Sequence, residues 1–368
     1  MSTPEKFTGY ACTDHAKWSD LTKLSYPPKK FDDYDVDIKI NCCGVCGSDV
    51  HTVVNDWGKK SNLPLVVGHE IVGTVTAVGP KVTLAKVGDI VGVGAQARSC
   101  LKCKNCLEGE ETYCSEDLIH TFGSVYPESG ETSQGGYANY VRIHEFFTFP
   151  ISQKLFEKGY KPEDIASFFC GGLTTYAPLI DNGCGPGKKV GIIGIGGLGH
   201  FAIQIAKALG AEVYVFSRTD SKKEDALKLG ADHYFATSEE NWNKPIEFEL
   251  DMILSTANSG KGFDLNAYLR CLKINGKFIS VGLPAEAFSV SPRTFFSNKC
   301  SFSASHLGNR KQMLELLKLV EEKNIKAWIE PVEISAAGCK EVLERLHNND
   351  VKYRFVLTGY EKEFANDN

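Results

Sequence analysis

No uninterrupted apolar stretch of about 18 residues, the length a helix needs to cross a bilayer, occurs anywhere in the sequence. The opening Met-Ser-Thr-Pro-Glu-Lys-Phe also lacks the basic and apolar regions of a secretion signal, so a cytoplasmic protein with no membrane partner is expected. A basic surplus is missing too. Lys plus Arg number 41 against 46 Asp plus Glu, a formal net charge of −5, and the field that gathers polyanionic nucleic acid is absent. No internal repeat, low-complexity tract or flexible linker interrupts the chain. What is present is length and cysteine. At 368 residues, 42% of them hydrophobic, the chain exceeds one ordinary core, and two domains of roughly 150 residues each are expected. Thirteen cysteines in a reducing compartment are better read as metal ligands or catalytic groups than as a disulfide framework.

From about residue 7 to 150 the pattern is Gly-rich and β-like, with short apolar runs at 36–40 and 71–78 set off by turn residues. An antiparallel β domain is expected there. From about 163 the rhythm changes. Residues 190–195 form a continuous apolar run, after which Leu198, Phe201, Ala202, Ile205, Ala208 and Leu209 recur at helical spacing. Strands at 212–217, 251–256 and 277–282 alternate with helices at 221–229 and 265–272, and such crossovers make a parallel, doubly wound sheet. The last stretch carries helices near 311–322 and 340–347 and a strand at 353–357. Periodicity alone does not say whether it rejoins the first domain.

Cys100, Cys103, Cys106 and Cys114 form a C-x2-C-x2-C-x7-C run in a Lys-, Glu- and Gly-rich stretch. Four thiolates so close can enclose one Zn²⁺ tetrahedrally, and a closed shell of four sulfurs is structural. Four unrelated surface cysteines or an iron–sulfur cluster are the alternatives. A second set is dispersed: Cys46 in Gly-Val-Cys-Gly-Ser-Asp-Val-His, His69 in Gly-His-Glu, and Cys170 in Phe-Cys-Gly-Gly-Leu-Thr. One imidazole and two thiolates are a catalytic zinc shell with an open fourth position. Spacing alone leaves them equally compatible with core cysteines, which pack as small hydrophobes.

Gly194-Ile-Gly196-Gly197-Leu198-Gly199 closes a predicted strand and opens a predicted helix, the context in which G-x-G-x-x-G binds a dinucleotide. The glycines let the backbone approach a pyrophosphate at the positive helix N-terminus. An acidic residue about 20 positions on would hold the ribose 2′-OH. The second strand ends instead in Ser217 and Arg218, with Lys222 following. A hydroxyl and cations suit a 2′-phosphate, which a carboxylate would repel, so NADP(H) is expected. The other reading makes Arg218 and Lys222 solvated charges at a helix start and puts Asp220 on the ribose.

Taken in order, G-V-C-G-S-D-x-H, G-H-E, the four-cysteine loop, C-G-G-L-T and G-I-G-G-L-G resemble the zinc-containing medium-chain alcohol dehydrogenases, from about residue 7 to 360. The chain is most similar to their cinnamyl-alcohol-dehydrogenase branch, which includes fungal NADP-dependent enzymes of broad aldehyde specificity. That resemblance implies an α/β fold: a GroES-like β-rich catalytic domain formed by 1–160 and 306–368, and a doubly wound Rossmann NADP-binding domain at 161–305. It implies Cys46, His69 and Cys170 as ligands of a catalytic zinc, and two Zn²⁺ per chain. Glu70 matches a residue that can replace water on the metal. Ser48 matches the hydroxyl that takes the alcohol proton, and His51 the imidazole that passes it on. Thr174 matches a residue near the nicotinamide and Arg354 one near the pyrophosphate. Asp49 would orient a ligand.

The expected activity is hydride transfer between NADP(H) and a primary alcohol/aldehyde pair, aromatic or medium-to-long aliphatic, by a homodimer. Trp57, His120 and Phe122 are candidates for lining the pocket. A polyol or amino-alcohol dehydrogenase of the same fold is the alternative within enzymes. Outside them stands a zinc-ribbon interaction module, against which the acidic charge and a second metal set both argue.

Overall fold

The computed structural model describes residues 4–58, 61–258, 260, 262–284 and 287–367. The chain divides into two compact units. One runs through Cys170 and also takes up Asn309–Leu317 and the chain from Lys326 on; the other holds Gly171–Gly308 and Lys318–Ile325.

Among the described residues, the first unit is built on a seven-stranded sheet. Its order is Thr148–Pro150, Ile90–Val93, Glu70–Val78, Asp35–Gly44, Arg354–Thr358 and Ile329–Glu333, with Tyr140–His144 also paired to Asp35–Gly44. All these pairings are antiparallel except that of Ile329–Glu333 with Arg354–Thr358. The terminal strand thus rejoins the N-terminal sheet, Val356 opposite Gly44 and Leu357 opposite Cys43. Asp35–Gly44 is buried along almost its whole length, which explains why it reads Asp-Val-Asp-Ile-Lys-Ile-Asn-Cys-Cys-Gly and not as a clean alternation. Its buried Asp37 is neutralised by Arg142, whose Nε and Nη2 donate to the two carboxylate oxygens at 2.7 and 2.9 Å.

Among its described residues, the second unit carries six parallel strands in the order His233–Ala236, Glu212–Ser217, Lys189–Ile193, Leu250–Ser255, Leu272–Ser280 and Ser301–Ala304. The order reverses between Lys189–Ile193 and Leu250–Ser255, and that switch point is where a doubly wound sheet opens its crevice. Val190, Ile192, Ile193, Val213, Val215, Phe216 and Ile253 are all buried, as strands covered on both faces require. The strand expected at 190–195 stops at Ile193 because Gly194 turns to φ +89°. The helix expected at 221–229 is a 3-10 turn, Asp220–Lys222, followed by the helix Lys223–Leu229. Three short strands carry no periodic signal in the sequence: His233–Ala236, Ser301–Ala304 and Ile329–Glu333.

Candidate functional site

Cys46, His69, Glu70 and Cys170 converge in the first unit, all buried, with one donor atom from each lying within 4.8 Å of all the others. Each reaches that point by a different local device. Cys46 caps the helix Gly47–Val54, and its own amide donates to Asp49 Oδ2 at 2.9 Å, the N-cap and third helical residues gripping one another. His69 and Glu70 stand at the start of Glu70–Val78. Cys170 follows the 3-10 turn Ser167–Phe169.

Asp49 is wholly buried and organises the set. Its Oδ1 meets His69 Nδ1 at 3.0 Å and accepts the Gly68 amide at 3.2 Å, while Tyr137 donates its hydroxyl to Oδ2 at 3.4 Å. With Nδ1 on a carboxylate, the imidazole presents Nε2 inward, 3.2 Å from Cys170 Sγ. Cys46 Sγ lies 3.9 Å from Cys170 Sγ. That hydrogen bond draws the Cys46 thiol well below its ordinary value, with His69 adding to the effect, while the Cys170 thiol is pushed well above. Two sulfurs and one nitrogen in a tautomer fixed from behind are the donor set of a zinc site.

Glu70 is paired through Oε1 with Arg354, and its buried Oε2 finds no hydrogen-bond partner among the described residues. Burial pushes its carboxyl up to about 7 against the pull of the Arg354 guanidinium. Gly44 leaves the room this needs, since a Cβ there would collide with Glu70 Oε2. Arg354, the residue matched to a neighbour of the pyrophosphate, is itself buried and pairs with Glu70.

Ser48 Oγ lies 3.8 Å from Cys46 Sγ, and His51 follows one helical turn later. The structure adds a residue that the motif did not point to. Asp56 reaches back to His51 Nδ1, and the Trp57 ring stacks on the imidazole at 4.9 Å between centroids and 19° between planes. Asn55 in the left-handed conformation (φ 64°) turns the chain so that this is possible. Phe122 packs against His69 at 5.4 Å. His120 lies in the short strand Ile119–His120.

Cys100, Cys103, Cys106 and Cys114 likewise bring their sulfurs together, with Sγ separations of 3.9 Å (100–106), 3.5 Å (103–106) and 3.9 Å (103–114). Backbone amides point at the sulfurs: Cys103 N to Cys100 Sγ at 3.2 Å, Cys100 N and Asp117 N to Cys114 Sγ at 3.4 Å each. Amides from Cys106 and Ser115 bring the Cys103 thiol down to about 6. Such a nest favours thiolates. The loop is tied to the C-terminal part of its unit, where the Arg310 amide donates to Glu111 Oε1 at 2.5 Å and Asn309 Nδ2 to Gly109 O at 2.8 Å.

In the second unit Gly194–Gly199 joins the strand Lys189–Ile193 to the helix Gly199–Ala208. A Cβ on Gly199 would strike the Gly194 carbonyl, whereas one on Gly196 would meet nothing within 4 Å, so the backbone there is bare. Ser217 is half-buried at its strand end and Arg218 is exposed beside it. Lys222 donates Nζ to Ile195 O at 2.7 Å and so lies across the glycine loop. Thr174 lies buried on the helix Gly171–Asp181 of the same unit.

Residues 32–153 match the model of the alcohol dehydrogenase GroES-like domain, and 197–322 that of the zinc-binding dehydrogenase. The chain is 48% identical to NADP-dependent alcohol dehydrogenase 6 of Saccharomyces cerevisiae over 99% of its own length and 100% of that protein. Its fold is similar to a cinnamyl alcohol dehydrogenase from Sorghum bicolor (TM-score 0.88, 32% identity, covering 96% of this chain and 97% of that one). It is also similar to the Helicobacter pylori enzyme of that kind complexed with NADP(H) (TM-score 0.85, 32% identity, 96% and 98% covered).

Proposed function

The chain belongs to the zinc-binding alcohol dehydrogenases, and from that premise we propose that it interconverts a primary alcohol, aromatic or medium-to-long aliphatic, and its aldehyde with NADP(H). The observation that carries this reading is the convergence of Cys46, His69 and Cys170 with Asp49 behind the imidazole. These residues would hold a catalytic zinc, and the four cysteines at 100, 103, 106 and 114 a structural one. Zinc in such a shell supplies Lewis-acid polarisation of the substrate oxygen, and NADP(H) supplies or accepts the hydride.

The chain's own groups do the rest. Ser48 receives the alcohol proton and His51 passes it towards solvent, with Asp56 orienting the imidazole. Glu70 would offer the metal an auxiliary oxygen donor, and Arg354 opposes the protonation that burial favours on that carboxyl. Gly194, Gly196, Gly197, Leu198 and Gly199 would offer backbone to the pyrophosphate, and Thr174 would lie near the nicotinamide. Ser217, Arg218 and Lys222 bind the 2′-phosphate by charge-assisted hydrogen bonds.

On the same reading, 1–160 and 306–368 form the catalytic domain and 161–305 the cofactor domain. We place the protein in the cytoplasm, acting on small molecules and not on nucleic acid or membranes; thirteen cysteines, all free, suit that reducing compartment. We propose a homodimer, supported by the edge strand Ser301–Ala304, exposed at all four residues and carrying none of the charges or prolines that guard a solitary edge. NADPH-dependent loss of an aromatic aldehyde, abolished when a chelator strips the metal, is the expected result. Full turnover in metal-free protein would overturn the proposal.

A further inference from the structure

Two of the three metal-set residues are held by the sheet. His69 adjoins the paired strand Glu70–Val78, and Cys46 follows Asp35–Gly44 with the intervening Val45 amide bonded to Phe355 O at 3.0 Å. Cys170 is carried by no strand and lies instead between a 3-10 turn and the start of the helix Gly171–Asp181. It follows a three-residue 3-10 turn, a form with poor hydrogen-bond geometry, and its own backbone (φ −127°, ψ −71°) is not helical. A metal site nonetheless demands that its donors be placed to about 0.5 Å.

What stands next to Cys170 is Phe169, wholly buried. Its ring lies on the face of the strand Ile90–Val93 at a place where the sheet has no side chains. A Cβ on Gly92 would fall within the Phe169 ring, and one on Gly94 would stand 2.5 Å from the Phe169 carbonyl oxygen. Gly92 lies in the strand and Gly94 one residue past its end, and together they form one bare floor beneath the ring and the peptide of Phe169. Val91 and Val93, on either side of Gly92, are buried. Phe149, directly opposite Gly92 on the neighbouring strand, stacks beside the ring at 5.9 Å and 21°. Beyond it the Arg310 guanidinium lies 5.4 Å from the Phe149 centroid, held by the Phe146 and Thr148 carbonyls at 2.5 and 2.8 Å.

We propose that Phe169 is a positioning residue for the catalytic metal: seated on the Gly92–Gly94 floor and stacked on Phe149, it fixes where Cys170 presents its sulfur. The inference rests on Cys170 being a ligand of the catalytic zinc. A methyl group on the floor lifts the ring, and the displacement passes through one peptide to the sulfur.

The experiment follows zinc release from the holoenzyme to a chromophoric chelator, with thermal unfolding measured alongside. In Gly92→Ala the catalytic zinc is expected to leave about 10- to 100-fold faster, the range for removing a group that orients a metal ligand, while the four-cysteine zinc leaves at the parent rate. Phe169→Leu is expected to accelerate the same phase. Leucine lacks the ring atoms that the alanine methyl meets, so Gly92→Ala/Phe169→Leu should release zinc more slowly than Gly92→Ala alone. A folded Gly92→Ala with parental release, or equal acceleration of both phases, would show that the ring is only core packing and overturn the inference. If Gly92→Ala does not fold, Phe169→Leu decides in the same way. Cys170→Ser separates the two levels: parental catalytic-zinc binding in that variant defeats the ligand assignment itself.

Discussion

The Asp56 carboxylate meets Nδ1 of His51 through both its oxygens, at 3.0 and 2.9 Å. A carboxylate on one ring nitrogen leaves the other to exchange the proton that the alcohol gives up. His51→Gln is expected to slow turnover on the order of 10²-fold and to flatten its pH dependence without displacing cofactor. Asp56→Asn keeps a hydrogen-bonding partner and should slow turnover less. A pH–rate profile in His51→Gln matching that of the parent would reduce His51 to a surface histidine.

Both metal sets should fill, giving two zinc ions per chain with different exchange behaviour, because one shell is closed and the other open. Cys46→Ser should leave a folded chain with no turnover. Cys103→Ser should chiefly lower the unfolding temperature, since it opens a loop whose Glu111 takes the Arg310 amide. Metal analysis with thermal melts tests this, and the reverse pattern would mean that the two sites have exchanged roles.

The four-cysteine run and the glycine loop were legible because their chemistry lies within a few consecutive residues. The dispersed set was legible only through motif order, since nothing in the sequence says that Cys46, His69 and Cys170 meet; antiparallel pairing of Asp35–Gly44 with Glu70–Val78 brings the first two together. Asp56 was not legible. It stands five positions after His51, off the helical face, and reaches the ring only because Asn55 reverses the chain. Ser301–Ala304 was missed for a related reason: its Ser-Phe-Ser-Ala is defined by backbone pairing to Leu272–Ser280 and not by an apolar run. Phe169 carries no signal of its own in the sequence, and its seat is visible only once Gly92 and Gly94 are known to face it.

Asp37 and Arg142 form a buried pair in the sheet that carries Cys46, with burial raising the Asp37 carboxyl and Arg142 opposing the rise. Arg142→Met leaves that carboxylate uncompensated and should lower stability by about 3–5 kcal/mol at pH 7. The folded-state pKa then rises further above the unfolded value, so the folded chain binds the extra proton and the deficit shrinks as pH falls through it. Denaturant unfolding at pH 7 and pH 5 checks the sign. A deficit that grows on acidification would contradict it.

If the Ser301–Ala304 edge pairs two copies, Phe302, 41% exposed there, is buried in the dimer. Phe302→Lys places like charges at the junction and should give monomers in sedimentation with both zinc ions retained. An unchanged sedimentation coefficient would move the interface elsewhere.

The cofactor preference turns on three residues at the end of Glu212–Ser217. Arg218 is exposed beside the half-buried Ser217, and Lys222 bridges to Ile195 O, so one cation is free to move onto a phosphate and the other is already anchored over the glycine loop. Each charged hydrogen bond to a 2′-phosphate contributes about 1.5–3 kcal/mol, and two imply a preference for NADPH over NADH of roughly 10²- to 10⁴-fold in kcat/KM. Arg218→Ala should raise KM for NADPH with little change in kcat, because the phosphate is bound equally in ground and transition states. Lys222→Ala should behave differently. It removes a strut from the loop as well as a phosphate ligand, so KM should rise for NADH too, by less than for NADPH. Steady-state kinetics with both cofactors separates the two residues, and parental efficiencies for NADH and NADPH within a factor of about three would show that neither binds a 2′-phosphate.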